Sequence, residues 1–397
     1  MTHARLVTLV LLLCVGIPVA APAHAAPIAD RADAVTVPVE ITENGHVRVV
    51  ATINGVATRL VLDTGASHNV LDSAAAARCK IADIGTTINL TGGGKVSAFL
   101  GKINTLTVAA HTQTSVPFVV TPLPPALQSD GILGKPFFDA VTVTIDYAAK
   151  TVTLADPKLF VPPVGALKLP LDFDGATPTV PAVVNGEAVR FQVDTGAANT
   201  VTFFPPFVQK RDLLRVFAPS LPENKRALGG ELTGVIARVP SLILGTTDGG
   251  IRISGMEGYL LAPQKDSAFT SKRSAGSLGS LFWARFTVTL DYKHKAVYAT
   301  KNADTDKPFP VSRSGMAYTQ TEGGGTITTV LPQSAASSAG LVVGDVIRQV
   351  DGLPVGDANR SRIRGLFRQP AGTPVKLLVQ SADGKARHVI LTLRDVL

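Results

Sequence analysis

One stretch of this chain occurs twice, and a chain built by repetition has few folds open to it. Ile53-Asn54-Gly55-Val56-Ala57-Thr58-Arg59-Leu60-Val61-Leu62-Asp63-Thr64-Gly65-Ala66 is answered by Val184-Asn185-Gly186-Glu187-Ala188-Val189-Arg190-Phe191-Gln192-Val193-Asp194-Thr195-Gly196-Ala197. The offset is constant, 194 − 63 = 131 and 185 − 54 = 131. In both copies Asn-Gly marks a tight hairpin turn between runs of strand composition, and the second strand ends in Asp-Thr-Gly.

The likeness continues downstream. A glycine-rich stretch follows each aspartate, Thr91-Gly92-Gly93-Gly94 in the first copy and Leu228-Gly229-Gly230 in the second. Next comes a Gly-x-Leu-Gly element trailed by aromatics: Gly131-Ile132-Leu133-Gly134 with Phe137-Phe138, then Gly276-Ser277-Leu278-Gly279 with Phe282-Trp283. Each copy closes on a strand, Thr142 to Tyr147 and Thr287 to Tyr292. Asp63 to Asp146 spans 146 − 63 = 83 residues and Asp194 to Asp291 spans 291 − 194 = 97, so the second copy carries a net insertion of 97 − 83 = 14. The region Asp248 to Arg273 is the expected place for it. Two related β lobes follow, over residues 35–156 and 167–301. Pro157, Pro162 and Pro163 mark the linker between them, and Asn302 to Arg313 marks another after the second.

Composition agrees. With 397 residues, 45% hydrophobic and only 17% charged, the chain can core two or three domains, and its 36 Gly and 27 Pro suit short strands joined by turns. The net charge of +8 is dispersed, with no basic run longer than a pair and few aromatics, so no nucleic-acid partner is expected. His3 and Arg5 precede an apolar run, Leu6 to Val19, and Ala23-His24-Ala25 is a small-x-small cleavage site. Residues 1–25 therefore read as a signal peptide, which predicts export to the periplasm or the medium. Leu13 stands where a lipobox before Cys14 needs Gly or Ala. Removal of that segment leaves Cys79 alone, so no intrachain disulfide can form, and a lone Cys is expected to be buried. No other apolar stretch has membrane length, so the mature chain is expected to have no integral membrane segment. The five remaining His (His46, His68, His111, His294, His388) lack metal-ligand spacing, and neither a nucleophile elbow nor a phosphate-cradling loop is present. No cofactor and no metal is expected.

A single Asp-Thr-Gly arises by chance in roughly one chain in ten to twenty of this length, and its ordinary meaning is a surface turn. Two of them, each at the end of an apolar strand and at one point of a repeat, have a chemical use. A carboxyl pair sharing one proton can hold a water, with one Asp taking the water's proton and the other donating to a carbonyl. Like charges about 3 Å apart do not both ionise, so the pair keeps that proton over a useful range of pH. Gly65 and Gly196 would let each turn approach the opposite lobe. Thr64 and Thr195 would cross-link the lobes at their axis.

The chain resembles the aspartic peptidase superfamily, in particular retropepsin-like and gag-polyprotein-type bacterial domains fused in tandem as in pepsins. The resemblance covers about Val35 to Lys301 and rests on Asp63-Thr64-Gly65-Ala66-Ser67, Asp194-Thr195-Gly196-Ala197 and Ile132-Leu133-Gly134. It implies two acid-protease β-barrel lobes, a cleft for an extended peptide, Asp63 and Asp194 as the catalytic pair, and no metal. It also implies a hairpin flap at about Leu90 to Leu100 with Gly92, Gly93 and Gly94 at its tip. Three departures stand out: Ser277 in the second Ile-Leu-Gly-type element, no flap tyrosine between Leu90 and Leu100, and Ala66 and Ala197 where pepsins have a hydroxyl. Losing that hydroxyl should raise the pair's pKa values and move activity toward roughly pH 5 to 7.

Residues 314–397 have another pattern. Strands from Thr326 to Leu331, a short helix ending near Gly340, a helix over Asp357 to Arg368 and two closing strands make a small α+β unit. Ala336-Ser337-Ser338-Ala339-Gly340-Leu341-Val342-Val343-Gly344-Asp345-Val346-Ile347 and Val350-Asp351-Gly352 resemble bacterial PDZ domains, which add a peptide to a sheet edge. Gly315, Met316, Ala317 and Ile363 are the expected groove residues, and Asp345 is expected to brace a turn. The whole reads as a mainly β, exported aspartic endopeptidase whose partners are a peptide or protein substrate and PDZ-bound peptide termini. The alternative is a catalytically inactive peptide-binding protein using the same cleft and groove. Keeping two like charges together favours the enzyme.

Overall fold

Both Asn-Gly dipeptides make the turns that their composition demands. Asn54 and Gly55 sit at φ 48° and 82°, Asn185 and Gly186 at 49° and 78°, the left-handed pair of a tight two-residue hairpin. They join strand Val47–Ile53 to Val56–Leu62 and Thr177–Val184 to Glu187–Asp194. A computed structural model of the chain describes residues 34–42, 45–91, 95–102, 105–227, 230–264 and 268–397. The molecule is mainly β, as the composition implies. The expected signal segment and the glycines Gly92, Gly93 and Gly94 lie outside the described residues.

Each lobe repeats one pairing. Gly131–Leu133 runs parallel to Leu60–Leu62 and antiparallel to Val70–Leu71. Gly276–Gly279 likewise runs parallel to Phe191–Asp194 and antiparallel to Val201–Phe203. The Gly-x-Leu-Gly element thus threads directly behind each aspartate turn. Its last glycine is sterically required: a Cβ on Gly134 would stand 2.3 Å from the His68 carbonyl oxygen, and one on Gly279 2.3 Å from that of Asn199. The aromatics that follow, Phe137, Phe138, Phe282 and Trp283, are fully buried, and the Trp283 indole N–H donates to the Leu278 carbonyl at 2.9 Å.

A six-stranded sheet joins the lobes from beneath, in the order Ala34–Pro38, Thr151–Ala155, Thr142–Asp146, Phe286–Asp291, Ala296–Lys301, Leu167–Pro170. Its central strands pair antiparallel with Thr144 opposite Thr289, and the two hydroxyls meet at 2.8 Å. Equivalent residues of the repeat therefore face each other, as a twofold axis requires. One apolar core runs through both lobes and this sheet, from Val47 to Val311, and it takes in Cys79, which is free and buried.

The extra length of the second copy is spread out. Val119 lies beside Val70 and Gly258 beside Val201, so the offset has grown from 131 to 258 − 119 = 139 by that strand. It reaches 278 − 133 = 145 at Leu278, the partner of Val193. Leu100, opposite Val119, corresponds to Ala237, opposite Gly258, so the offset is already 237 − 100 = 137 there. Of the 14 extra residues, 6 therefore lie between Val201 and Ala237, 2 between Ala237 and Gly258, and 6 in the stretch after it that leads to Leu278.

Strands Met316–Thr321, Gly324–Val330, Val346–Val350, Pro374–Gln380 and Ala386–Thr392 form the C-terminal sheet, with helices Ala335–Ser338 and Arg360–Leu366 against it. Its core is separate from that of the lobes. Asp345 is buried, accepts from the Val342 N–H at 3.3 Å and pairs with Arg387 at 2.8 Å, which is the bracing role expected of it. Among the described residues no helix is long and apolar enough to cross a membrane.

Candidate active site

The two Asp-Thr-Gly turns meet at the axis. The Thr64 N–H donates to Thr195 Oγ1 at 3.1 Å and the Thr195 N–H to Thr64 Oγ1 at 3.0 Å. Each hydroxyl in turn donates into the opposite strand, Thr64 Oγ1 to the Val193 carbonyl at 2.6 Å and Thr195 Oγ1 to the Leu62 carbonyl at 2.7 Å. Both threonines are 0% exposed, so these four bonds form away from competing water and use both N–H groups and both hydroxyls of the pair.

The cross-link fixes what stands above it. Each carboxyl lies on the opposite lobe's glycine: a Cβ on Gly196 would fall 2.1 Å from Asp63 Cγ, and one on Gly65 2.6 Å from Asp194 Oδ1. No side chain fits at either place. We expect Gly196→Ala to leave the protein folded while kcat/KM drops at least about 10²-fold, because roughly 1 Å of misplacement at reacting groups costs that much. Gly365→Ala is the control, since an added Cβ there meets nothing within 4 Å. Unchanged turnover by the Gly196 variant would show that the close approach is not needed.

Electrostatics set the proton count. Burial pushes the Asp63 carboxyl up to about 6 against hydrogen bonds from the Gly65, Ala66 and Gly196 backbone. Burial again, and then the Asp63 charge, push Asp194 up to about 8, with backbone hydrogen bonds from Ala197 and Gly196 opposing. The Gly65 N–H donates to Asp63 Oδ1 at 2.8 Å. Asp63 is the better-solvated anion of the two, because it receives more backbone donors. Both shifts run upward, and burial is the first cause of each. Both carboxyls lie above the ordinary carboxyl range, at about 6 and about 8, so the pair keeps a shared proton near neutral pH.

Residues that no motif marks also build the site. Asn69, fully buried, accepts the Gly134 N–H on Oδ1 at 2.9 Å, while in lobe two the Thr200 backbone carbonyl takes the Gly279 N–H at 2.9 Å. His46 is buried against the Gly196 backbone, and burial lowers its pKa, so the ring stays neutral. The repeat does not reveal His46, because its counterpart 131 residues on is Thr177. His68 is exposed, with Nδ1 at 2.8 Å from Ser67 Oγ, and has the surface setting expected of it.

The strands that flank the expected flap tip are present as a hairpin, Ala82–Thr91 with Lys95–Lys102. Lobe two has the counterpart Ser220–Ala227 with Gly230–Ala237. The four expected groove residues of the C-terminal unit are dispersed. Met316 and Ile363 lie in that unit's own core, and Ala317 packs against lobe two. Gly315 takes φ 69°, and a Cβ there would stand 2.1 Å from Ser334 Cβ. The Met316 N–H, which opens the groove strand, donates to Ser314 Oγ at 3.3 Å.

Comparison with known families accords with this geometry. Residues 49–137 match the aspartyl protease family and residues 326–381 match the PDZ domain family. The chain carries a retropepsin-like aspartyl protease domain and a PDZ domain, the arrangement that its motifs suggested. No curated protein matches it.

Proposed function

We propose that this protein is an exported aspartic endopeptidase in which Asp63 and Asp194 activate one water, and that its PDZ domain binds substrate or partner peptides. The reciprocal Thr64–Thr195 hydrogen bonds carry the reading, because they hold the two carboxyls together across the lobes. A binder gains nothing from burying two like charges in contact, since each raises the cost of ionising the other. The roles divide by solvation. With one proton shared by the pair, Asp63, which receives more backbone donors, serves as the base and Asp194 as the acid. Water attacks the scissile carbonyl carbon as its proton passes to Asp63, while the Asp194 proton goes to the carbonyl oxygen. The resulting gem-diol collapses as the Asp63 proton moves to the leaving nitrogen, the C–N bond breaks, and a diol proton returns to Asp194. Export rests on the apolar run and cleavage site in residues 1–25. The division into 35–156, 167–301 and 314–397 is part of the same proposal.

The test is turnover of a denatured protein by the mature chain between about pH 2 and 9. A bell with limbs near pH 6 and 8 is expected, because a doubly protonated pair lacks its base and a doubly ionised pair lacks its acid. An optimum below about pH 3 would refute the assigned environments. Absence of cleavage across the whole range would favour the peptide-holding alternative.

A further inference from the structure

Two sheet edges meet where the PDZ domain joins lobe two. Ser220–Ala227 is the terminal strand of the lobe-two sheet, and Met316–Thr321 is the terminal strand of the PDZ sheet. Unpaired edges invite another strand, and a PDZ domain uses this edge, with the helix facing it, to take up peptides. Here the two edges lie side by side. Ala317 is buried against Leu221, Leu232, Ile236, Tyr259 and Leu261 of lobe two.

The contact is charged as well as apolar. From the opposite wall of the groove, helix Arg360–Leu366, Arg364 pairs with Glu223 of the lobe-two strand at 2.7 Å. Arg360 spans the groove to Gln320 Oε1 at 3.2 Å. One turn beyond Arg364, Arg368 pairs with Glu257, whose other oxygen accepts the Ser312 N–H at 3.0 Å. Lys225 sits 4.2 Å above the Tyr259 ring. Burial alone would push the Glu223 carboxyl up, and Lys225, Arg364 and Arg368 together hold it below the usual carboxylate range. Glu223 therefore touches the basic helix while the strand that carries it lies along the groove's edge strand.

We propose that the groove between Met316–Thr321 and Arg360–Leu366 selects extended peptides with an acidic side chain, and that the chain's own strand Ser220–Ala227, through Glu223, is its resident occupant. An incoming peptide must take Arg364 from Glu223. That exchange detaches the PDZ domain from the lobe-two hairpin, the counterpart of the expected flap, so groove binding and hairpin freedom are linked. The proposal rests on the peptide-binding part of the functional reading and not on catalysis.

The experiment uses the full mature chain carrying Asp63→Asn, so that no peptide is cut. The probe is a fluorescein-labelled octapeptide of residues 220–227, Ser-Leu-Pro-Glu-Asn-Lys-Arg-Ala, with a second peptide bearing Gln in place of Glu. Fluorescence anisotropy should show weak binding of the Glu peptide to this chain and at least about tenfold tighter binding once Glu223→Gln vacates the groove. The Gln peptide should bind the vacated groove at least about tenfold more weakly, and adding Arg364→Gln should abolish the difference. The charge-swapped pair Glu223→Arg with Arg364→Glu restores the internal contact, guards against simple misfolding of the single variant, and should bind the Glu peptide no better than the parent. Equal affinity of parent and Glu223→Gln, equal binding of both peptides, or tight binding by the swapped pair would each overturn the proposal. Failure of the parent to cleave protein leaves these outcomes unchanged, so the two readings fail separately.

Discussion

Asp63→Asn and Asp194→Asn should each leave a folded protein whose turnover is at least about 10³-fold below that of the parent. Each removes one member of a unit that works only as a pair, so the double variant should be scarcely worse than either single one. Residual turnover within about tenfold of the parent would sink the peptidase reading. Stability supplies an independent check with the opposite sign. Both carboxyls have folded-state pKa values above the ordinary carboxyl value, about 6 and about 8, so the folded state holds their protons more tightly than the unfolded chain does. This contribution is fully present below about pH 4, the ordinary carboxyl range, and is lost as pH rises through 6 and then 8. The double Asn variant has no such loss. Its melting temperature relative to the parent should therefore climb between pH 4 and pH 8, by several degrees. A difference that stays flat with pH would mean that the pair is not buried in contact. Activity lost while high-pH stability is gained is the signature of a site held together against its own electrostatics.

How much of this could be read beforehand follows the range of the interactions. The Asn54-Gly55 and Asn185-Gly186 turns are local: two residues needing left-handed backbone announce themselves in a dipeptide. Alternating apolar strands are nearly as local. Even the meeting of Asp63 with Asp194 was legible, although 131 residues separate them, because duplication writes a long-range contact as a sequence likeness. Contacts that break the repeat left no such trace. His46 sits behind Gly196 with Thr177 in the equivalent place of the other lobe, so no pattern flags it. The docking of the PDZ domain depends on Glu223, Glu257, Arg364 and Arg368, ordinary surface charges in sequence whose partners lie more than 100 residues away. The extra residues of the second lobe were countable but not placeable. Strand register decides where length is absorbed, and it divides them chiefly between the segment from Val201 to Ala237 and the stretch that leads to Leu278.

Removing one hydroxyl from the axis should unsettle both stability and chemistry. Thr64→Val keeps the shape of the side chain but leaves the Thr195 N–H without its acceptor and the Val193 carbonyl without its donor, both in a fully buried setting. Orphaning buried polar groups costs about 1–3 kcal/mol each, so unfolding should become easier by about 2–6 kcal/mol in all. Thr195→Val should behave in the same way through the Thr64 N–H and the Leu62 carbonyl. The paired variant should depart from additivity by about 0.5–3 kcal/mol, since the bonds form one network. Activity should respond more sharply than stability. The carboxyls stand directly on turns positioned by these hydroxyls, so kcat should fall about 10²-fold at conditions where the variant is fully folded, with KM little moved. Thr64→Ser keeps the hydroxyl and should restore most of both. If Thr64→Val lowered the melting temperature but left kcat intact, the threonines would be lobe cement alone. If neither moved, the two lobes would have to be held in register by the sheet beneath them, through Thr144 and Thr289, and the turns would be passengers.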